Sequence, residues 1–510
     1  MRKKVLSSLL VTALALTTLT GCGTKTATDY QKIMASAVSG EITVSCYDST
    51  TYKSYLEQGA KLFEEKYPGT KVNVESVGAM PQVKTQQDGG KTLAVVTAGG
   101  NDQQAKDDYV SRVNTEIMSG GGADILALDV LPYYKYADNG QLEDLNNFIQ
   151  NDPGYNKAAY TENVLAATAY KGGQYIFPMD YTFNYFAYDS SLMADFPAQD
   201  KLTYQDVIKA AKDASASTGN KIFGQSAYSV QKGTSFFEKA YSLDYTTFVD
   251  IINKKVDFTG GEFAELLETV KNYADSGSIN PANVTAAETS RETSLDKFAA
   301  DNAEKYYAKF NSSLNLVNQF TRNLGTKTNV IRQAGSGGSS EHDEIAGLVA
   351  NDQGEVDFSY TQGYGINSNS KNKRTAWEFI KFLASEEMQS SGLGSPNSIP
   401  INNQAKEKTA SMLITGEVIQ NRAAAMGVSD GPAGKGQEAA KELTPEQQQA
   451  LANYLATLDR FTKLLNNYDL HDAKIDNMVT TEVKNFFTGE KTAAEVAKAL
   501  QSKVELYLNE

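Results

Sequence analysis

Between Glu41 and Val77 the apolar residues change their spacing twice. Ile42, Val44 and Cys46 alternate with polar neighbours, the two-residue period of a strand. Tyr55, Leu56, Gly59, Leu62, Phe63 and Tyr67 then recur every three to four residues, one face of a helix, and Pro68-Gly69 stops it. Val72 and Val74 resume the alternation. Strand, helix and strand in that order make a βαβ unit with parallel strands and a right-handed crossover. A parallel pair needs helices over its faces, so this opening commits the chain to an α/β architecture.

Ahead of that unit stands a segment of another kind. Met1-Arg2-Lys3-Lys4 is a basic head, Val5 to Thr20 carries no charge, and Leu19-Thr20-Gly21 sets small residues before Cys22. Such an arrangement is an export signal, with an apolar run shorter than the ~20 residues of a membrane span. The cysteine at the cleavage point resembles a bacterial lipobox. In that case Cys22 carries a diacylglyceryl group and is the first residue of the mature chain. Two acyl chains at ~0.8 kcal/mol per buried methylene anchor a protein stably, where one binds marginally. The alternative is an ordinary secretory signal with Cys22 unmodified. Residues 1–21 are therefore expected to be the signal and 22–40 a small, polar, lipid-anchored tether, on the outer face of a bacterial cell membrane.

Without residues 1–21 the 510-residue chain is too long for one core and suits two large lobes. Losing Arg2, Lys3 and Lys4 takes the formal charge from −14 to −17. So acidic a body argues against nucleic acid and against adhesion to anionic lipid by charge. With Cys22 lipidated, Cys46 has no disulfide partner, and its alternating strand context reads as a buried, inert thiol. His342 and His471 each adjoin acidic residues and read as solvated loops, so no metal site is expected, and no cofactor.

Further along, a strand is expected at Thr92–Thr97 and a helix through Tyr109–Met118. Gly120-Gly121-Gly122 turns into a buried strand, Ile125–Leu128, ending at Asp129. That triple glycine lacks the Lys-Ser/Thr of a phosphate loop. Met179 to Tyr188 is the densest aromatic run. Helical spacing follows at 203–214, 234–242, 262–275, 293–303 and 375–384, and over most of the last eighty residues, while 335–340 is a loop by composition.

Four stretches in this order carry a resemblance: Glu41–Val44 with Phe63–Val72, Gly121–Leu126 with Tyr136–Leu142, Pro178–Asp189, and Gly365–Lys373 with Ala376–Glu387, followed by Ser398–Asn402. The chain resembles the family 1 extracellular solute-binding proteins of ABC importers, which include maltose- and oligosaccharide-binding proteins. The resemblance implies a two-lobed, periplasmic-binding-protein-like fold of type II, with a ligand cleft between lobes joined by crossover strands. Lobe 1 maps to 41–178 and 345–390, lobe 2 to 179–344 and 391–510, and residues 80–120 are longer than the family pattern. It implies a monomeric binder that captures an oligosaccharide or sugar and delivers it to the transmembrane subunits of an ABC permease, with no catalysis.

Ligands in α/β lobes meet the carboxyl ends of strands. That rule selects Tyr47, Asp48 and Tyr52 after the first strand and Asp129 after the Ile125–Leu128 strand. Family position adds Asp180, Tyr181, Phe183 and Tyr185 at the crossover, Tyr228, Phe310 and Asn311 from lobe 2, and Gln362 and Tyr364 before the Gly-Ile-Asn segment. Alternation sends half of Phe183–Tyr188 to the core, and Asp48 and Asp129 have a second reading as solvated strand ends. Trp377, at helical spacing with Ile380 and Ala384, reads as core, so tyrosine has to supply any stacking on a sugar. Two other classes stay open. A glycosidase needs two carboxyls about 5–5.5 or 6.5–9.5 Å apart, for which Asp48, Asp129 and Asp180 are available. A binder of a peptide or polyamine, or a protein presenting a sugar to a membrane sensor, needs only the cleft.

Overall fold

The computed structural model describes residues 27–47, 50–77, 83–88, 91–96, 102–191, 196, 199–203, 206, 209, 213, 234–275, 308–313, 316–321, 343–351, 353–391, 398–415 and 442–509. The expected helix at 293–303, the loop at 335–340 and most of the helix at 203–214 lie outside them, as do Cys22 and the expected signal segment.

Two large sheets organise these residues. The first contains β1 (Gly40–Tyr47), β2 (Thr70–Val77), β3 (Ile125–Ala127), β4 (Phe177–Pro178) and, from far along the chain, β10 (Gly363–Ile366). Its order is β2-β1-β3-β10-β4, with β1, β2 and β3 parallel and β10 antiparallel to β3 and β4. The second sheet is built around β5 (Asp180–Asp189), with β6 (Lys201–Thr203), β7 (Ala308–Ser312), β8 (Asp343–Ala350), β9 (Asp357–Ser359), β11 (Ile399–Pro400) and β12 (Asn467–Tyr468). Four of these, β7, β8, β9 and β11, pair antiparallel with β5 and together run its whole length.

The opening βαβ unit follows the period of its sequence. β1 and β2 run in register from Gly40 opposite Thr70 to Tyr47 opposite Val77, joined by the helix Thr50–Lys66. That helix and the helix Lys373–Leu383 cover one face of β1, while the helix Asp102–Met118 lies on the other. Covered on both sides, β1 buries Ser45 as fully as Ile42, Val44 and Cys46. The Cys46 thiol is free and buried.

Alternation along the strands divides the core in two. Ile42, Val44, Cys46, Tyr364, Trp377, Tyr181, Phe183 and Tyr185 belong to one apolar cluster, and Tyr109, Leu126, Leu128, Phe186, Phe263 and Ile475 to the other. Each cluster draws residues from both sheets. Trp377 is fully buried, and its indole N–H donates to the Asp152 carboxylate at 2.8 Å. Gly365 on β10 shows how tight the first sheet is: a Cβ there would stand 2.7 Å from the Tyr175 carbonyl oxygen and 2.6 Å from Leu128 Cδ1.

Three features depart from the sequence reading. Residues 27–35 form a helix packed on the body, so the expected tether at 22–40 is packed structure from Ala27 onward. The return to the first sheet, placed at 345, falls inside β8. Both β8 and β9 pair with β5, and the chain re-enters the first sheet at Gly363. The expected strand at Thr92–Thr97 is observed at Lys91–Val96 and gains a hairpin partner, Val83–Asp88, which the polar sequence did not signal.

Candidate functional site

The chain passes between the sheets at Met179–Asp180, at Tyr360–Gln362 and again before Ile399. Asp180 gathers all three passages. Its carboxylate accepts from the Thr361 backbone N–H at 2.7 Å, the Thr361 hydroxyl at 2.5 Å, the Gln362 N–H at 3.3 Å and the Ser398 hydroxyl at 2.7 Å. Burial pushes this carboxyl above the usual range, and the four donors oppose the shift. Gln389 ties the same segments, donating to the Met179 carbonyl at 2.5 Å and accepting from the Asn402 N–H at 2.9 Å. Asp180 therefore sits in the hinge with its carboxylate engaged, and Gln362 is buried beside it with its backbone bonded to Asp180 and Met179, so neither lies on an open face.

The aromatic crossover turns inward as well. Tyr181, Phe183 and Tyr185 are at most 2% exposed, because the four strands flanking β5 make it central and the helix Pro445–Thr462 closes over it. The Tyr181 hydroxyl meets the Thr462 hydroxyl at 2.9 Å, and Phe183 packs edge-on against Phe461. Tyr364 is fully buried on β10. These four rings are core residues, which corrects their assignment to the cleft. Tyr52 is placed in the first turn of the helix Thr50–Lys66, and Phe310 and Asn311 lie in β7 opposite Phe186 and Tyr185. Asp48 and Tyr228 lie outside the described residues.

Tyr47 and Asp129 are the selected residues that stand at strand ends with partial exposure. Tyr47 closes β1, its ring 6.3 Å from that of Tyr109 and beneath Lys106 Nζ at 5.7 Å. The Tyr109 hydroxyl bridges β1 and β3 by donating to the Ser45 and Ala127 carbonyls at 2.8 and 3.0 Å. Asp129 lies just past β3; burial, with the Asp129 charge as one of several smaller contributions, raises the hydroxyls of Tyr109, Tyr360, Tyr364 and Tyr468 well above 10. All four therefore stay neutral.

Tyr360, on the second passage, stacks on Tyr468 of β12 with centroids 5.2 Å apart and planes 19° apart. Tyr47 and Tyr468, one from each sheet, are partly exposed and touch both apolar clusters. Tyr133, Tyr170 and Tyr175 continue the aromatic wall, with Tyr170 6.1 Å from Tyr133 and 6.5 Å from Tyr175. Sequence reasoning missed Tyr360 and Tyr468. The available signal was that Tyr468 falls in the short gap between two helical patterns, where no helix face can absorb its ring.

A second bridge joins the halves beyond the hinge. The Tyr134 hydroxyl donates to Asp472 Oδ2 at 2.5 Å and the Tyr507 hydroxyl to the same oxygen at 2.9 Å. Asp472 Oδ1 meanwhile caps the helix Ala473–Phe487, accepting from the N–H groups of Lys474 and Ile475. Next to it, His471 corrects the solvated-loop expectation. Its imidazole stacks on Tyr245 at 3.8 Å, with Nε2 2.5 Å from Asp469 and Nδ1 3.1 Å from Asp476. Burial works against its charge, yet the two carboxylates outweigh burial and push the imidazole up to about 10. Burial and the Asp469 charge push nearby Asp357 up to about 7. Among the described residues no group of three or more His, Cys, Asp or Glu side chains is placed to hold a metal ion. No described helix is long and apolar enough to cross a membrane.

Solved structures with this fold support the comparison. A family 1 extracellular solute-binding protein from Alicyclobacillus acidocaldarius aligns with a TM-score of 0.55 and 16% identity, over 93% of this chain and 100% of that one. A cyclic alpha-maltosyl-1,6-maltose binding protein from Arthrobacter globiformis gives 0.52 and 14%, over 92% and 99%. An ABC substrate-binding protein from Listeria monocytogenes, in complex with cycloalternan, gives 0.50 and 17%, over 92% and 99%. No curated protein sequence matches the chain. Residues 47–390, about two thirds of the length, match the family described as bacterial extracellular solute-binding protein. Two lobes, three passages between them and this match lead to one assignment: the chain belongs to the bacterial extracellular solute-binding protein family.

Proposed function

We propose that this protein is a monomeric receptor, anchored on the outer face of the membrane by lipid on Cys22, that captures an oligosaccharide between its lobes and delivers it to the transmembrane subunits of an ABC importer. The observation that carries the ligand class is the stacked pair Tyr360–Tyr468, with the partly exposed Tyr47 and Tyr468, one from each sheet, touching both apolar clusters, and with Asp129 at the end of β3. Flat rings suit the apolar faces of a sugar, and a carboxylate with neutral hydroxyls around it suits sugar hydroxyls. The fold neighbours named for cycloalternan and for cyclic alpha-maltosyl-1,6-maltose support the same class. Tyr47 and Asp129 contribute from lobe 1, Tyr468 from lobe 2, and the ligand leaves chemically unchanged. With Asp180 occupied in the hinge, Asp129 lacks that carboxyl as a catalytic partner.

A thermal-shift screen of residues 23–510 against oligosaccharides, peptides and polyamines tests this. A ligand at a hundred times its dissociation constant adds ~2.7 kcal/mol of stability, a readily measured shift. Stabilisation by oligosaccharides, recovered intact after prolonged incubation, is the expected result. Stabilisation by peptides or polyamines alone overturns the ligand class, and shortened sugar products overturn the receptor role.

A further inference from the structure

Lys406 stands in the first turn of the helix Asn403–Thr415, just beyond the third passage between the sheets, and is partly buried. Its Nζ donates to two neutral oxygens, Asn403 Oδ1 at 3.1 Å and Thr161 Oγ1 at 3.2 Å, and lies 5.8 Å from the centroid of the Tyr181 ring. None of the ion pairs among the described residues includes it, whereas Lys373, Lys381 and Lys408 reach Glu143, Asp152 and Glu386. Asp459, on the helix Pro445–Thr462 packed against this one, acts on it only through space and is itself paired with Lys463 at 2.7 Å. Asn402 caps the helix by accepting from the N–H groups of Gln404 and Ala405, so the ammonium also sits at the positive end of the helix dipole. Burial pulls this ammonium down to about 8, against the distant attraction of Asp459.

We propose that Lys406 is an N-acylation site, reacting with activated acyl donors such as acyl phosphates ahead of its exposed neighbour Lys408. An ion-paired lysine forfeits the attraction of its partner when it is acylated. Lys406 has no ion pair to lose: the product sheds a partly desolvated charge and keeps an amide N–H for one of its two neutral acceptors. The site therefore suits a reagent that neutralises the nitrogen. In the step, the ammonium first gives one proton to water. The nitrogen lone pair then forms a C–N bond to the acyl carbon, the C–O bond to phosphate breaks with its electron pair, and the nitrogen releases a second proton to water. At pH 7 a lysine titrating near 8 holds roughly 10% free amine, against roughly 0.04% at the ordinary value, and this excess outweighs its lower basicity and its partial burial.

The test treats the full chain with limiting acetyl phosphate and follows each lysine by mass spectrometry. Cleavage after Glu407 puts Lys406 and Lys408 on separate peptides. At pH 7 acetylation of Lys406 is expected to be about tenfold faster than that of Lys408, and its rate to level off above pH 8 while that of Lys408 still climbs. Equal rates at pH 7, or a Lys406 rate that climbs tenfold per pH unit as far as pH 10, overturn the proposal. Asn403→Asp puts a carboxylate where the neutral amide oxygen stands, at an exposed helix start that suits an acidic residue. It should slow Lys406 about tenfold, one unit of pKa, and leave Lys408 unchanged. An unaltered Lys406 rate in a variant that melts like the wild type refutes the unpaired ammonium as the cause, and the site with it. Where the variant melts lower, the wild-type pH profile decides by itself.

Discussion

The Ser398 hydroxyl donates to the Asp180 carboxylate at 2.7 Å and so links the first passage between the lobes to the third. Thr361 and Gln362, on the second, donate to the same side chain. A buried carboxylate is costly unless it is bonded, and here it is bonded by every strand that must flex when the lobes move. In Asp180→Asn the shape stays while one acceptor oxygen becomes a donor facing donors. Urea denaturation should show a loss of about 1–3 kcal/mol. Unchanged stability would mean that the hinge does not depend on this carboxylate.

Tyr468 and Tyr181 should separate binding from folding. Tyr468→Ala removes a partly exposed ring from the Tyr360 stack and is expected to weaken binding of the sugar returned by the thermal screen about tenfold. Tyr181→Ala empties a core position and is expected to cost about 3–5 kcal/mol of stability. Calorimetric titration beside denaturation checks both, and an affinity loss confined to Tyr181→Ala would place the ligand elsewhere.

Tyr134 and Asp472 hold the lobes together away from the hinge, and a ligand shifts the open–closed balance only by its difference in affinity for the two forms. Tyr134→Phe deletes that hydrogen bond. Small-angle scattering should find a larger radius of gyration for the ligand-free variant than for the ligand-free wild type, with the two converging once ligand is bound. A wild-type radius that stays fixed while ligand binds tightly would rule out hinge closure.

His471 sets a pH dependence whose sign is fixed. Its imidazole is raised from 6.5 to about 10 in the folded protein, so its stabilisation is complete below about pH 6.5 and is lost as pH climbs through 10. Asp357, raised to about 7, acts in the same direction over a lower window, its contribution falling as pH rises from near 4 through 7. Folding free energy should therefore decline from pH 6.5 to 10 by on the order of 3 kcal/mol for His471, and the slope above pH 7 should flatten in His471→Asn. A profile identical in both proteins would remove the ion cluster from the account.

The sequence carried the elements whose periodicity is local. The unit from Glu41 to Val77, the strand at Ile125 and the helix over 262–275 follow from spacing alone. Tyr181 and Tyr185 were not legible in that way. Alternation says that they share a face, but only the distant strands β7, β8, β9 and β11 make that face an interior one. Asp180 reads like any acidic residue before an aromatic run, and its donors come from positions 361, 362 and 398. Tyr30, in a short polar stretch, gave no sign of Glu143 as its partner.

Because each apolar cluster draws on both sheets, the interiors of the two lobes are continuous with one another. Ile42 and Tyr181 lie in one cluster and Tyr109 and Ile475 in the other, so apolar contact runs unbroken from each sheet to the other on both faces. The protein should melt as one cooperative unit, its calorimetric and van't Hoff enthalpies agreeing, even though it works as two bodies around a hinge.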